Sequence, residues 1–276
     1  GQISNIQAKP GTAIRIMTGA PIPPGADAVV PFELTDETER KRSSSFGQQI
    51  GIYCPVAAEA NIRRRGEDIA KGELVIHRGR ILQPAEIGVL ASLGRNRVKV
   101  VRKPLIGILA TGDEVLDITQ PLQPGKIYNS NSYSLACQVT YSGGIPKLLG
   151  IAPDNAKDLS LAIKKGFECD MLITSGGVSL GDYDVVKQVL EAEGDVSFWT
   201  VCMKPGKPIA FGTFKRDGML ALPHLGLPGN PVSSMITFEI FARPAIHKMM
   251  GMPCSSRRYV VAVIEDTIKN RDGRRI

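Results

Sequence analysis

The sequence predicts an α/β protein, with a three-layer domain built on a mainly parallel sheet and a small, mostly β domain in front of it. Three observations predict this. From Pro104 onward, short apolar runs alternate with stretches of helical period, the pattern of a parallel sheet carrying helices on both faces. Leu105–Ala110 is a continuous apolar run, as a strand covered on both sides must be. Before residue 80 the rhythm differs, with short β-type runs separated by Pro and Gly turns.

In the first region, Ala13–Met17 and Ala28–Phe32 read as strands flanking the rigid turn Pro21-Ile22-Pro23-Pro24-Gly25. Residues 35–48 read as an exposed polar loop, and Gln49–Cys54, Asn61–Arg63 and Glu73–His77 as further short strands. Pro84–Leu93 reads as a helix, with Pro84 at its start and Gly94 at its end. Arg97–Arg102 reads as a strand leading out of this region. The strands expected next are Leu105–Ala110, Lys147–Ile151, Met171–Thr174, Val196–Val201, Pro208–Phe214 and Met219–Leu222. The helices expected are Asn131–Tyr141, Asn155–Phe167, Val185–Ala192 and a long one over Pro231–Gly251, with Pro231 in its first turn. The resulting domain plan is 1–80 (small β domain), 81–103 (connecting helix and strand), 104–252 (α/β domain) and 253–276 (start of a further β domain). Both ends read as cut, so a fragment of a longer chain is expected.

Composition narrows the function classes. The 276 residues are 43% hydrophobic and 22% charged, enough for a core that needs neither disulfide nor metal. The net charge of +7 is dispersed over small groups such as Arg63-Arg64-Arg65 and Lys164-Lys165. With aromatics at 5% and one Trp, neither a basic stripe nor a base-stacking platform is present, so no nucleic-acid partner is expected. The five cysteines form no C-x-x-C pair, which argues against a zinc knuckle or disulfide framework and for a reducing, cytoplasmic setting. No apolar stretch approaches the roughly 18 residues needed to span a bilayer, so no membrane partner is expected.

In open α/β sheets ligands bind beyond the carboxyl ends of the strands, and three loops fall there. They are Thr111-Gly112-Asp113-Glu114, the stretch Ser175–Asp184 beginning Ser-Gly-Gly-Val-Ser, and Gly226-Leu227-Pro228-Gly229-Asn230-Pro231. Glycines let backbone N–H groups approach a phosphate, and near a helix N-terminus such groups cradle an anion. Asp113, Glu114, Asp182 and Asp184 offer the oxygen ligands that Mg²⁺ prefers. Lys204-Pro205-Gly206-Lys207-Pro208 holds two ammonium groups on a stiff segment, which suits an oxyanion. Each element also has a plainer reading as a turn, a helix cap or a solvated lysine pair. Their joint occurrence at successive strand ends carries the argument. There is no G-x-x-x-x-G-K-[ST] loop, no G-x-G-x-x-G and no G-x-S-x-G elbow. The three histidines, His77, His224 and His247, are far apart, so a histidine metal site or a Ser-His-Asp triad does not fit.

Taken together these loops resemble the molybdopterin molybdotransferase family, which includes bacterial MoeA and the gephyrin E domain. The matching segments are Ile16–Pro21, Arg63–Ile69, Thr111–Glu114, Ser175–Asp184, Met203–Pro208 and Gly226–Pro231, in the family's order. The resemblance implies binding of adenylylated molybdopterin with Mg²⁺, entry of molybdate, hydrolysis of the nucleotide bond, and release of molybdenum cofactor and AMP. It implies a homodimer whose site lies between the α/β domain of one subunit and the β domain of the other, and the adenylyltransferase of the same pathway as a further partner. Asp184 and Glu114 would handle Mg²⁺, and Asp113, Asp68 and Thr18 would join them in catalysis, Thr18 and Asp68 from the partner subunit. Ser175, Gly176, Gly177 and Ser179 would line the pterin phosphate, with Asp154, Asp182, Pro228 and Pro231 also on the substrate. Lys204 and Lys207 would hold molybdate. The plainer reading of Asp154 is a helix N-cap, and that of Asp68 a turn residue. The family's Ser-Ala-Met-Asp-Gly-Tyr-type segment has no counterpart in this sequence, and Thr200 stands where some bacterial relatives carry Lys. Two other functions share these motifs in part: a molybdopterin adenylyltransferase, which lacks a region like residues 1–80, and a gephyrin-like scaffold.

Overall fold

A computed structural model of the chain describes residues 3–37, 39–40, 49–178, 185–252 and 260–267. The chain divides into two compact units, Gly1–Arg80 and Ile81–Ile276.

The first unit is mostly extended chain joined by turns. The runs expected as strands over Ala13–Met17, Ala28–Phe32, Asn61–Arg63 and Glu73–His77 do not form ladders among the described residues, where the pairing found is an antiparallel bridge between Thr35 and Ile52. Phe32–Leu34 is a short 3-10 turn. Isolated backbone bonds hold the segments together, among them Ala8 N–H to Pro24 O (2.8 Å) and Val29 N–H to Ala60 O (2.9 Å). Within Ala28–Phe32, Pro31 has no N–H to donate to a ladder. Residues 41–48 of the expected polar loop lie outside the described residues.

The second unit opens with helix α1 (Pro84–Ser92). The strand expected over Arg97–Arg102 does not form: Val100 and Val101 are exposed, and among the described residues no strand pairs with them. The strands that follow among the described residues are β1 (Leu105–Thr111), β2 (Val115–Leu116), β3 (Ile127–Tyr128), β4 (Ile145–Ala152), β5 (Met171–Ser175), β6 (Gly194–Thr200), β7 (Pro208–Phe214) and β8 (Leu222–Leu227). Between them lie α2 (Ser130–Tyr141), α3 (Ala156–Lys165) and α4 (Val185–Glu193), and after them α5 (Pro231–Thr237) and α6 (Arg243–Met249).

Six strands form one sheet in the order β4-β1-β5-β8-β7-β6. The first four run parallel, while β7 is antiparallel to both its neighbours. Alternate residues of the strands serve different cores. Leu109, Leu172 and Phe214 pack with Leu159, Ile163, Val186 and Leu190 of α3 and α4. Ile106, Ile108, Ile173 and Leu225 pack with Leu135 and Val139 of α2 and with Phe238, Ala242 and Ile246. This is the three-layer, mainly parallel arrangement expected, and it explains why β1 is buried from Ile106 to Thr111.

The strand expected at Met219–Leu222 is instead Leu222–Leu227. Met219 and Leu220 are 62% and 87% exposed, and the true strand hides behind the polar His224 and small Gly226. The helix expected over Pro231–Gly251 is interrupted by a π turn at Phe238–Ala242. Pro244, in the first turn of α6, has no N–H to donate back, so the regular i→i−4 pattern cannot pass through it. At the sheet's edge, the register of β4 slips between its pairings Ile108↔Leu148 and Leu109↔Gly150, leaving Leu149 as an extra residue. Residues 253–259 and 268–276 of the expected further domain lie outside the described residues, and 260–267 carry no regular structure.

Candidate functional site

β1, β5 and β8 are neighbours in the sheet, so the loops leaving their carboxyl ends converge. Asn131, in the first turn of α2, ties them together: its Nδ2 donates to Ser175 Oγ and to the Gly229 carbonyl, both at 2.8 Å. The Thr111 hydroxyl donates to the Ser175 carbonyl (3.4 Å), and Gly176 N–H donates to Leu227 O (3.0 Å). Ser175 and Pro228 are buried. Gly176 and Gly177 have φ of +99° and +65°, and a Cβ on them would lie 2.6 Å from Thr111 O and 2.5 Å from Val186 Cβ. Only glycine fits there: without side chains the loop closes on Thr111 and Val186, and main chain walls the crevice expected beyond the strand ends. Asn230 caps α5 by accepting from Ser233 N–H (3.2 Å), with Pro231 as the first helical residue.

The acidic residues sit on the β1 side of this crevice. The Glu114 side chain folds over Gly112, where a Cβ would meet Oε2 at 2.5 Å. Asp113 and Asp154 grip one another: Asp154 N–H donates to Asp113 Oδ1 (3.0 Å) and Asp113 N–H to Asp154 Oδ2 (3.4 Å). Desolvation pushes the Asp154 carboxyl above its ordinary range; the Asp113 N–H bond opposes this, and the charges of Asp113 and Glu114 add to it. Asp154 is not the cap of α3. Asn155 holds that position and accepts from Asp158 N–H at 2.9 Å. Among the described residues, no group of three or more His, Cys, Asp or Glu side chains is arranged to hold a metal. Ser179, Asp182 and Asp184 lie outside the described residues.

β6 runs in the direction of β8, because each is antiparallel to β7, so the turn after β6 emerges on the same side of the sheet. This turn carries Lys204 and Lys207. Val201 N–H donates to Lys207 O (2.9 Å), the Lys204–Pro205 peptide is cis, and a Cβ on Gly206 would lie 2.5 Å from Thr237 Oγ1 of α5. Lys207 is half-buried and Lys204 exposed.

Thr18 and Asp68 stand on separate turns of the first unit. Thr18 is exposed in the turn closed by Ala20 N–H to Met17 O (3.0 Å). Asp68 takes Arg63 Nη1 on both carboxylate oxygens, at 3.0 and 2.8 Å. His224 is a packing residue, as its isolation in the sequence suggests. It is fully buried in β8, with Nε2 3.1 Å from Thr174 Oγ1 and its ring edge-on to Phe214, and burial lowers its pKa to about 3. Sequence reasoning placed Thr111 in a candidate loop without a role of its own and missed Asn131. The latter lies in Asn129-Ser130-Asn131-Ser132, a polar cluster at a strand-to-helix junction that reads only as a helix start.

Comparison with known proteins places this geometry. Residues 107–248 match the family described as the probable molybdopterin binding domain, and residues 1–94 match the MoeA N-terminal region (domain I and II). The chain belongs to the MoeA family. It is similar to the molybdopterin molybdenumtransferase of Haemophilus influenzae, at 41% identity over 87% of this chain and 57% of that protein. It is also similar to molybdopterin molybdenumtransferase 2 of Mycobacterium tuberculosis, at 36% identity over 100% of this chain and 66% of that one. Two structures of the molybdopterin biosynthesis MoeA protein of Pyrococcus horikoshii superpose with TM-scores of 0.73 and 0.70 at 31% identity, over 91% of this chain and 60% and 59% of theirs. The chain thus spans less than two thirds of the length of these MoeA relatives. No helix among the described residues is long and apolar enough to cross a membrane.

Proposed function

We propose that the protein to which this chain belongs is a molybdopterin molybdotransferase of the cytoplasm, which inserts molybdate into adenylylated molybdopterin and releases molybdenum cofactor and AMP. The observation that carries this reading is the main-chain crevice at the ends of β1, β5 and β8, in a chain matching the family over both its units. The match over residues 1–94 favours this reading over an adenylyltransferase made of the α/β domain alone.

Ser175, Gly176, Gly177 and Ser179 receive the pterin phosphate, where donors without side chains in the way suit an anion. Asp154, Asp182, Pro228 and Pro231 border the substrate. Lys204 and Lys207 hold molybdate by charge-assisted hydrogen bonds. Thr18 and Asp68 contribute from the partner subunit of a homodimer.

Mg²⁺ is ordinarily held by one or two carboxylates together with substrate phosphates, so a three-residue cage is not required. The donors fit: Glu114, Asp113 and Asp154 crowd negative charge together, which a cation relieves. Glu114 and Asp184 would hold the ion, with Asp113 fixed by its bonds to Asp154. When bound, it supplies charge neutralisation of the phosphates during hydrolysis. The adenylyltransferase of the same pathway would supply the adenylylated substrate.

The test follows AMP release by the full-length protein given adenylylated molybdopterin, Mg²⁺ and molybdate. Molybdate-dependent release is expected. Absence of release, with ATP consumed when free molybdopterin is supplied, would replace this reading with the adenylyltransferase one.

A further inference from the structure

We infer that Asn131 is a positioning residue of the crevice, one that commits the Ser175 hydroxyl to donating toward an anionic ligand. The inference rests on the reading of the crevice as a phosphate site. Asn131 is 8% exposed. The Gly229 carbonyl can only accept, so its 2.8 Å bond fixes the amide with nitrogen toward the loops and oxygen away. Both Nδ2 protons are then in use, one on Gly229 O and one on Ser175 Oγ.

An amide nitrogen has no lone pair to accept with, so Ser175 cannot donate back along this bond. Its proton has to point elsewhere, and among the described residues no acceptor for it is found. Next to it are Gly176 and Gly177, half-buried, whose Cβ directions are filled by Thr111 and Val186, so that main chain borders the hydroxyl. A hydroxyl locked as a donor beside main chain suits phosphate oxygens, which only accept.

A second observation sets Asn131 apart from an ordinary residue at a helix start. Its Oδ1 is buried with no hydrogen-bond partner among the described residues. That arrangement is unfavourable, and Ala or Ser at this position would avoid it. What the asparagine supplies in return is one rigid group spanning β5 and the loop after β8, which sets the gap between them.

The test combines two measurements on the full-length protein. First, molybdopterin affinity is measured for Asn131→Ala, Asn131→Asp, Ser175→Ala and the Asn131→Ala/Ser175→Ala double variant, with thermal midpoints on the same samples. Each single substitution should weaken binding about ten-fold. The double variant should lose less than the two single losses combined, because Asn131 acts in part through Ser175 and in part through its bond to Gly229. Asn131→Asp keeps the shape but takes the serine proton for itself and cannot donate to the Gly229 carbonyl, so it should weaken binding, with the thermal midpoint reporting loss of the Gly229 bond. Additive losses, or wild-type affinity in Asn131→Asp, would overturn the inference. Second, the Asn131 side-chain amide protons are followed by NMR without ligand. Ser175→Ala should shift one of the two and leave the other on Gly229. If wild-type protein binds no molybdopterin, the functional reading fails by itself, and two unmoved amide protons would separately overturn the clasp.

Discussion

Lys207 is half-buried beside a turn whose backbone is pinned by Val201, whereas Lys204 is exposed, so the two ammonium groups are not equivalent. A less hydrated cation gives the stronger charge-assisted bond. Lys207→Ala should therefore weaken molybdate binding about ten-fold or more, since such bonds contribute roughly 1.5–3 kcal/mol. Calorimetric titration with molybdate checks this, and unchanged affinity would remove Lys207 from the site. At this scale the sequence was informative wherever residue type alone carries the chemistry. Gly176 and Gly177 had to be glycine, and Ser175 sits where an apolar strand meets them. Asn131 was not legible, because its partners lie 44 and 98 residues away in the chain. Asp154 was legible as important but open to misreading, because Asn155 beside it is an equally good cap.

The elements show why that pair had to be separated by structure. Asn155 accepts from Asp158 N–H and caps α3, while Asp154 turns the other way to grip Asp113. Asn155→Ala should cost about 1 kcal/mol, as loss of a helix cap does. Asp154→Ala should leave the cap intact and loosen the Asp113–Glu114 turn. Urea unfolding of the two variants distinguishes these outcomes, and equal destabilisation through loss of α3 helicity would refute the division. Helices and parallel strands were readable because burial on a fixed period writes itself into residue type. Leu222–Leu227 escaped that logic: His224 breaks the apolar run, and only the structure shows its Nε2 paired with Thr174 while its buried Nδ1 has no partner among the described residues. The strands expected in the first unit failed for the opposite reason. Their residue types suit strands, but Pro31 within Ala28–Phe32 cannot donate to a neighbour, and the other runs have no such explanation in their own residues. The long helix was readable as one element, though the π turn ahead of Pro244 was not, since it depends on which carbonyl the following turn can reach.

Across the whole molecule, both hydrophobic cores belong to the second unit, one on each face of its sheet. His224 lies fully buried in that sheet, and its protonation bears on the stability of the unit as a whole. Unfolded, it takes up a proton near pH 6.5; folded, burial keeps it neutral down to about 3. The unfolded chain thus binds more protons throughout that window. The contribution of His224 is complete above pH 6.5 and is lost as pH falls toward 3, by about 1.4 kcal/mol per unit. Unfolding midpoints in urea at pH 7.5 and pH 5 should fall accordingly, and less steeply in His224→Gln. An equal fall in both proteins would assign the acid sensitivity to other groups.

The irregular strand β4 has a consequence for how the molecule meets its own copies. An outermost strand offers its free amides to any passing chain, the usual route to edge-to-edge aggregation. Ile145 N–H turns inward to Pro104 O, so the next residue, Pro146, faces the open side, where it has no amide to offer. Lys147 follows, and the extra residue at Leu149 bends the remainder. Pro146→Val should restore an outward donor and raise concentration-dependent light scattering, whereas unchanged scattering would leave that protection to the bend alone. Growth of the sheet is thus opposed along the β4 border, at Pro146 and at the extra residue Leu149, and β6 is the border left to receive another chain.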